Sequence, residues 1–304
     1  MGTPKITPHL WFDNNAMEAT EFYVAAFDDS RITSTGVIHD TPSGDCDIVS
    51  FELGGQPFMA ISAGPLFKFN PSISFMINFD PSRDEAARSQ LDALWDRLSN
   101  GGTVLMPLDA YPFSQRYGWV QDKYGVSWQL ILTNPDGEVR PAITPALMFT
   151  RGVVGRAEEA IEFYCAVFKD SKRGATVRYP QGMEPQQEGT VMFADFFIDN
   201  TWLAAMDSAG DHDFTFNEAV SLLIPCDSQA DIDYYWDKLS AHPQAEQCGW
   251  LKDKFGLSWQ VWPTAMSEMM SRGTPDQLAR VTKAFLPMKK FNLAALEQAF
   301  EGRS

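Results

Sequence analysis

One fourteen-residue segment occurs twice in this chain. Residues 117–130 read YGWVQDKYGVSWQL and residues 248–261 read CGWLKDKFGLSWQV, and eight of the fourteen positions are identical. They include Trp119/Trp250, Asp122/Asp253, Gly125/Gly256, Trp128/Trp259 and Gln129/Gln260. The repeat extends outward in the same order. Ile6-Thr7-Pro8 matches Ile143-Thr144-Pro145, Glu21-Phe22-Tyr23 matches Glu162-Phe163-Tyr164, and Phe69-Asn70 matches Phe216-Asn217. Leu94-Trp95-Asp96 matches Tyr235-Trp236-Asp237. The period is too long for a solenoid and fits a whole domain used twice, so each candidate site residue has a twin against which it can be judged.

A chain of 304 residues holds two domains of common size, and 44% hydrophobic residues supply two cores. The net charge of -16 excludes the usual phosphate-binding footprint of a nucleic-acid partner and disfavours an anionic membrane surface. No apolar run is long enough to span a bilayer, and no basic-then-apolar leader opens the sequence, so a cytoplasmic protein is expected. Cys46, Cys165, Cys226 and Cys248 show no paired spacing, which reads as reduced thiols rather than a zinc site or disulfide frame.

Each half alternates strands and helices. Thr7 to Phe12 reads as a strand, Asp13-Asn14-Asn15 as a turn and helix cap, and Ala16, Ala19, Phe22, Tyr23, Ala26 and Phe27 as one helical stripe. Residues 48–53 and 56–61 flank Gly54-Gly55 as a hairpin. Ile73 to Phe79 is a further strand, followed by a helix carrying Leu91, Leu94, Trp95 and Leu98, and by two strands around Asp122-Lys123-Tyr124-Gly125. Boundaries are expected at 1–138, 139–266 and 267–304, the last a helical tail with caps at Thr274 and Asn292. A stabilising appendage is the simpler reading of that tail.

The strand-helix-three-strand order, doubled within each half, resembles the glyoxalase/bleomycin-resistance/dioxygenase (vicinal oxygen chelate) superfamily. Its PhnB-like branch, often labelled 3-demethylubiquinone-9 3-methyltransferase-like, is the nearest in pattern. The carrying motifs are TPHLWFDNNAMEATEFY, FKFNPSISF and GWVQDKYGVSWQL, with RAEEAIEFY, FTFNEAVSL and GWLKDKFGLSWQV in the second half. The resemblance implies an α+β fold of tandem domains built of paired βαβββ modules, whose curved sheets form cups. It also implies halves packed as a pseudo-symmetric dimer within one chain, with cups able to form across the pair and a homo-oligomer possible.

In metal-using relatives, the resemblance implies, a first-strand His and a last-strand Glu hold a divalent ion. Here the first-strand positions are His9 and Ala146, and the Glu positions are Gln129 and Gln260. A neutral amide adds no charge to a metal site, so His9 with Gln129 would still need Glu52 or another carboxylate. Neither a metal nor another cofactor is therefore expected. His9 also reads as a hydrogen-bonded wall residue, and the two Gln as amides pinning neighbouring strands.

The candidate binding residues are His9, Trp11, Glu52, Phe69, Trp119, Gln129, Trp250 and Gln260. Trp119 and Trp250 could stack on a flat ligand, although plugging the core is the favoured reading. If the amides face the cup, alternation puts Trp128 and Trp259 beneath the helices. Asn70 and Asn217 read as turn caps, and Asp122-Lys123 and Asp253-Lys254 as solvated pairs.

Trp95 and Trp119 are ten positions further apart than Trp236 and Trp250. The extra apolar stretch around residues 105–113 is expected to be a lid or partner contact, which makes the first half the better site. Two functions remain. One is a small-molecule-binding protein without a complete metal site, taking an apolar or aromatic ligand. The other is a metal-dependent glyoxalase-like isomerase, lyase or dioxygenase. The absent carboxylates favour the first. A methyltransferase lacks support, because no glycine-rich strand-to-helix loop is present to hold a nucleotide-like cofactor.

Overall fold

The computed structural model describes residues 4–134 and 136–303. The first module comprises β1 (Thr7–Phe12), α1 (Ala16–Ala26), β2 (Arg31–Thr41), β3 (Gly44–Leu53) and β4 (Gln56–Ser62). The second comprises β5 (Ile73–Phe79), α2 (Ala87–Ser99), β6 (Thr103–Tyr111), β7 (Ser114–Gln121) and β8 (Ser127–Leu132). The third repeats the first with β9 (Ile143–Phe149), α3 (Ala157–Val167), β10 (Lys172–Arg178), β11 (Val191–Ile198) and β12 (Thr201–Asp207). The fourth has β13 (Val220–Cys226), α4 (Gln229–Leu239), β14 (Trp250–Lys252) and β15 (Ser258–Pro263), one strand fewer than the second. The chain closes with α5 (Thr264–Arg272), α6 (Pro275–Phe285) and α7 (Leu293–Glu301).

The modules pair across the halves. The first sheet has the order β14-β15-β13-β1-β4-β3-β2, joining the first module to the fourth. The second, β10-β11-β12-β9-β5-β8-β7-β6, joins the second to the third. The seams are antiparallel, with His9 opposite Ser221 in one sheet and Ala146 opposite Ser74 in the other. This cross-pairing separates His9 from Gln129. The combination expected within the first half does not form, and His9 instead shares its sheet with Gln260.

Alternation then sorts every strand into two faces. One face carries Leu10, Phe51, Phe58, Phe75, Trp128, Leu203 and Trp259, which pack with α1 to α4 into a single apolar core. Trp128 touches Tyr23 and Phe27 of the first helical segment, and Trp259 touches Tyr164 and Phe168 of its twin. Both tryptophans are fully buried beneath the helices, as alternation required.

Two turn assignments change. Asp122 and Asp253 are buried rather than solvated. Each carboxylate accepts four hydrogen bonds. Asp253 takes them from the Tyr164 hydroxyl at 2.7 Å, Trp259 Nε1 at 2.9 Å, Phe255 N at 2.8 Å and Leu257 N at 3.1 Å. Asp122 repeats the set with Tyr23, Trp128, Tyr124 and Val126. Each therefore pins a turn, a tryptophan and a helix together. Burial pushes both carboxyl groups above the ordinary range, and the four donors offset that only in part. Their lysine neighbours lie over aromatic rings, Lys123 over Phe22 and Lys254 over Phe163.

The other change is at the helix starts. Asn15 makes no side-chain cap to α1. Ser62 Oγ accepts from Ala16 N at 3.1 Å, and its twin Asp207 accepts from Ala157 N at 3.1 Å, so a neighbouring strand satisfies each helix start. Asn70 and Asn217 do cap turns, accepting from Ser72 N and Ala219 N. Each also donates across the molecule, Asn70 to Thr215 O at 3.0 Å and Asn217 to Lys68 O at 2.8 Å.

Candidate functional site

The faces turned away from α1 to α4 are concave. In the first sheet the His9 ring lies 5.3 Å from that of Trp250, edge-on, although β13 and β15 stand between their strands. Flat strands would hold those positions about 14 Å apart at about 4.8 Å per step, so the sheet curls around them. Trp11 completes the cluster, 5.9 Å from Trp250, and its indole donates to Gly64 O at 2.8 Å. At the base, Gln260 Nε2 donates to Ser221 Oγ at 2.9 Å.

His9 is 4% exposed, and its Nδ1 has no hydrogen-bond partner. Burial alone lowers its pKa to about 3, because a cation there would lose its water without gaining a counter-charge. The ring is neutral at physiological pH, with an unused nitrogen.

The second concave face has the same plan with different chemistry. Ala146 replaces the histidine. Gln129 Nε2 donates to Ser74 Oγ at 2.7 Å, and the Tyr117 hydroxyl donates to Gln129 Oε1 at 2.7 Å. Trp119 stands opposite Gln129 on the neighbouring strand, with Nε1 donating to Ser127 Oγ at 2.8 Å. Trp119 and Trp250 are half-buried on the concave faces and stand outside the apolar core, contrary to the plug reading.

Two expected residues lie elsewhere. Glu52 is salt-bridged to Arg31 at 2.7 Å across β2 and β3. Phe69 packs edge-on against Phe12, 4.9 Å between centroids, and belongs to the margin of the core.

The ten extra residues of the first half form β6 and its turn, an added edge strand rather than a lid. At the matching edge of the first sheet the tail takes over. Cys248 N donates to Met288 O and Gly249 N to Lys289 O, both at 2.8 Å. Gly249 has φ +82, and a Cβ there would collide with the Phe291 ring, so only glycine admits that ring. Gln229 grips the same segment, donating to Phe291 O at 3.1 Å and accepting from Leu293 N at 2.8 Å.

From this anchor the helices extend over the concave face. Met266, Met269, Val281, Phe285 and Leu296 form a second apolar cluster with Ile38, Ile48 and Trp262. Ile38 and Ile48 come from β2 and β3 at one margin, Trp262 from β15 near the other. The α5 helix was not anticipated, although TAMSEMMSR carries methionines at helical spacing.

A divalent ion of the kind the resemblance implies needs anionic or imidazole donors converging on one point. His9, Ser221 and Gln260 bring no carboxylate, and the second face brings only amide and hydroxyl groups. Among the described residues no group of three or more His, Cys, Asp or Glu side chains could hold a metal ion. The residues present do not fit such an ion. Among the described residues, too, no helix is long and apolar enough to cross a membrane.

Comparison with known proteins agrees with this architecture. No curated protein matches the chain. A glyoxalase I variant from Zea mays superposes with a TM-score of 0.52 at 11% identity, covering 87% of this chain and 97% of that one. A candidate dioxygenase from Bacillus subtilis gives 0.52 at 12% identity, covering 96% and 100%. These likenesses establish the fold. A PhnB protein from Bacillus cereus shares 37% identity over 42% of this chain and 99% of its own, with a TM-score of 0.38. The model of the family described as 3-demethylubiquinone-9 3-methyltransferase matches residues 4–131 and again 141–262. With that match spanning most of its length in two copies, the chain belongs to this PhnB-type family, on the glyoxalase/bleomycin-resistance/dioxygenase fold.

Proposed function

We propose that the protein binds a small, largely apolar or aromatic molecule on a concave sheet face, without a complete metal site. The observation that carries this reading is the neutral base of both faces. Gln260 with Ser221, and Gln129 with Ser74, stand where a charged donor would be needed to hold a cation. Trp250 and Trp11 on one face, and Trp119 on the other, supply flat apolar area with few polar groups, the usual make-up of a small-molecule site. The methyl transfer in the family description gains no support here, since the chain has no glycine-rich loop between a strand and a helix to seat a nucleotide-like cofactor.

One observation favours the second reading, a metal-dependent glyoxalase-like enzyme. The unpartnered His9 Nδ1 is a ligand atom left unused. Metal analysis of the purified protein and of His9→Ala, combined with titration of aromatic ligands followed by tryptophan fluorescence, separates the two. Saturable quenching with no bound metal is expected. A stoichiometric divalent ion that disappears in His9→Ala would overturn the proposal in favour of the enzyme.

A further inference from the structure

A sizeable groove lies outside both concave centres. It lies between the β3–β4 turn at Gly54 and Gly55, the linker around Glu138 to Ala142, and the ends of β11 and β12, with a volume of about 970 Å³. That is at the upper end of what small-ligand sites enclose. Four charged side chains line it: Arg83, Arg140, Lys172 and Glu138. With Asp195, which binds Arg140 behind the wall, the corner holds three cations and two acids, a net positive patch in a chain of net charge -16. The aromatic walls are Trp202 and Phe197.

Pseudo-symmetry shows how this corner became basic. In the first half Arg31 stands opposite Glu52 on the neighbouring strand, and the two form a salt bridge at 2.7 Å. The twin pair is Lys172 opposite Phe197. The acid has been replaced by a ring, and Lys172 lies 4.9 Å from the centre of the Trp202 ring, reaching only the exposed Glu138, at 3.4 Å. Pro57 occupies the Trp202 position in the first half, so the aromatic wall also exists only once.

Arg140 is held over Trp202, its guanidinium carbon 3.9 Å from the ring centre, while Asp195 accepts from its Nε at 2.8 Å. Asp195 is itself fixed by Ala175 N at 2.7 Å. Arg140 Nη1 also pairs with Glu138 at 2.9 Å, so this guanidinium is held by two carboxylates and forms a rigid wall with little entropy left to lose.

We propose that this groove is a second ligand site, distinct from the concave centres, and that it takes a planar organic anion. The flat body would lie along Phe197 and the plane of the Arg140 guanidinium, which itself covers Trp202, and the anionic group would meet Arg83 and Lys172.

The test is calorimetric titration of the full-length protein with 2-naphthoate and with its neutral counterpart 2-naphthylmethanol. Saturable naphthoate binding is expected, about ten-fold tighter than that of the alcohol and weakened by added salt. The double substitution Arg83→Gln with Lys172→Gln removes two exposed charges without touching the core, and should weaken naphthoate about ten-fold. Trp119→Ala with Trp250→Ala removes the flat area of both concave faces, so the preference for naphthoate over the alcohol that persists in this background belongs to the groove. Three results would each overturn the site: no saturable naphthoate binding, equal affinity for the alcohol, or indifference to the double substitution of Arg83 and Lys172.

Discussion

The first sheet carries His9 at its concave centre and the chain's own helices across that face. The second carries Ala146 at the same position and an additional edge strand, β6. Both keep the Gln–Ser pair at the base and the Asp–Trp–Tyr cluster beneath. Duplication has conserved what holds each sheet to its helices, and the differences lie at the edges and on the concave side. Edge completion shows this most clearly: the second sheet ends in a strand contiguous with its own module, whereas the first receives Met288 and Lys289 from the tail.

The largest expected effect probes that edge. Phe291→Ala removes a fully buried ring from the tail cluster and should cost about 3 to 5 kcal/mol, read as a lower urea midpoint. Hydrogen exchange should quicken in α5 to α7 and β14 while β5 to β9 stay protected. Uniform loss of protection in both sheets would mean that the tail belongs to the common core, and the contrast between the edges would fail.

Next come Asp122→Asn and Asp253→Asn, one beneath each sheet. An amide nitrogen cannot accept from Trp Nε1 or Tyr OH, so two buried donors lose their acceptor in either variant. A cost of about 3 kcal/mol is expected from each. Closely similar urea midpoints would confirm that the buried clusters are equivalent, and a twofold disparity would break the symmetry there.

His9 sharpens the comparison through pH. Its folded pKa, about 3, lies below the ordinary value near 6.5, so the unfolded chain binds the extra proton. The native advantage is complete above about pH 6.5 and falls with acidification by about 1.4 kcal/mol per unit until the folded pKa is reached. His9→Ala, which copies Ala146, should flatten the stability profile between pH 6.5 and pH 5 by about 2 kcal/mol. Parallel profiles for the two proteins would show that His9 is not the buried neutral group described.

The smallest effect concerns the bases. Gln129→Leu should cost more than Gln260→Leu, by about 1 kcal/mol, because it strands the Tyr117 hydroxyl as well as the Ser74 hydroxyl. Cys248 occupies the Tyr117 position in the first sheet and packs against the tail instead. Thermal melts of the two variants would decide it, and equal shifts would remove this distinction.

Much of the fold could be read from the repeat, since two copies of one pattern confirm each other. Trp128 and Trp259 followed from alternation alone. The pairing of modules did not, because each strand edge of one half matches its twin equally well, and only three-dimensional packing selects the crossed arrangement. That is why His9 was joined to the wrong glutamine. The burial of Asp122 was hidden by a turn composition normally found in solvent. Its signal was the coincidence of Tyr, Asp and Trp in both halves, spaced so that one carboxylate could serve both rings. The basic groove was out of reach, since Arg83, Arg140 and Lys172 come from three separate segments and share no motif.

The strand orders also bear on how the chain is made. Every strand of the second sheet comes from residues 73–207, an unbroken stretch, whereas the first sheet joins residues 7–62 to residues 220–263. A polypeptide leaving the ribosome can close the middle sheet while its C-terminal portion is still unsynthesised. β1 to β4 must wait for β13, so an apolar N-terminal segment depends on prompt completion of the distant end.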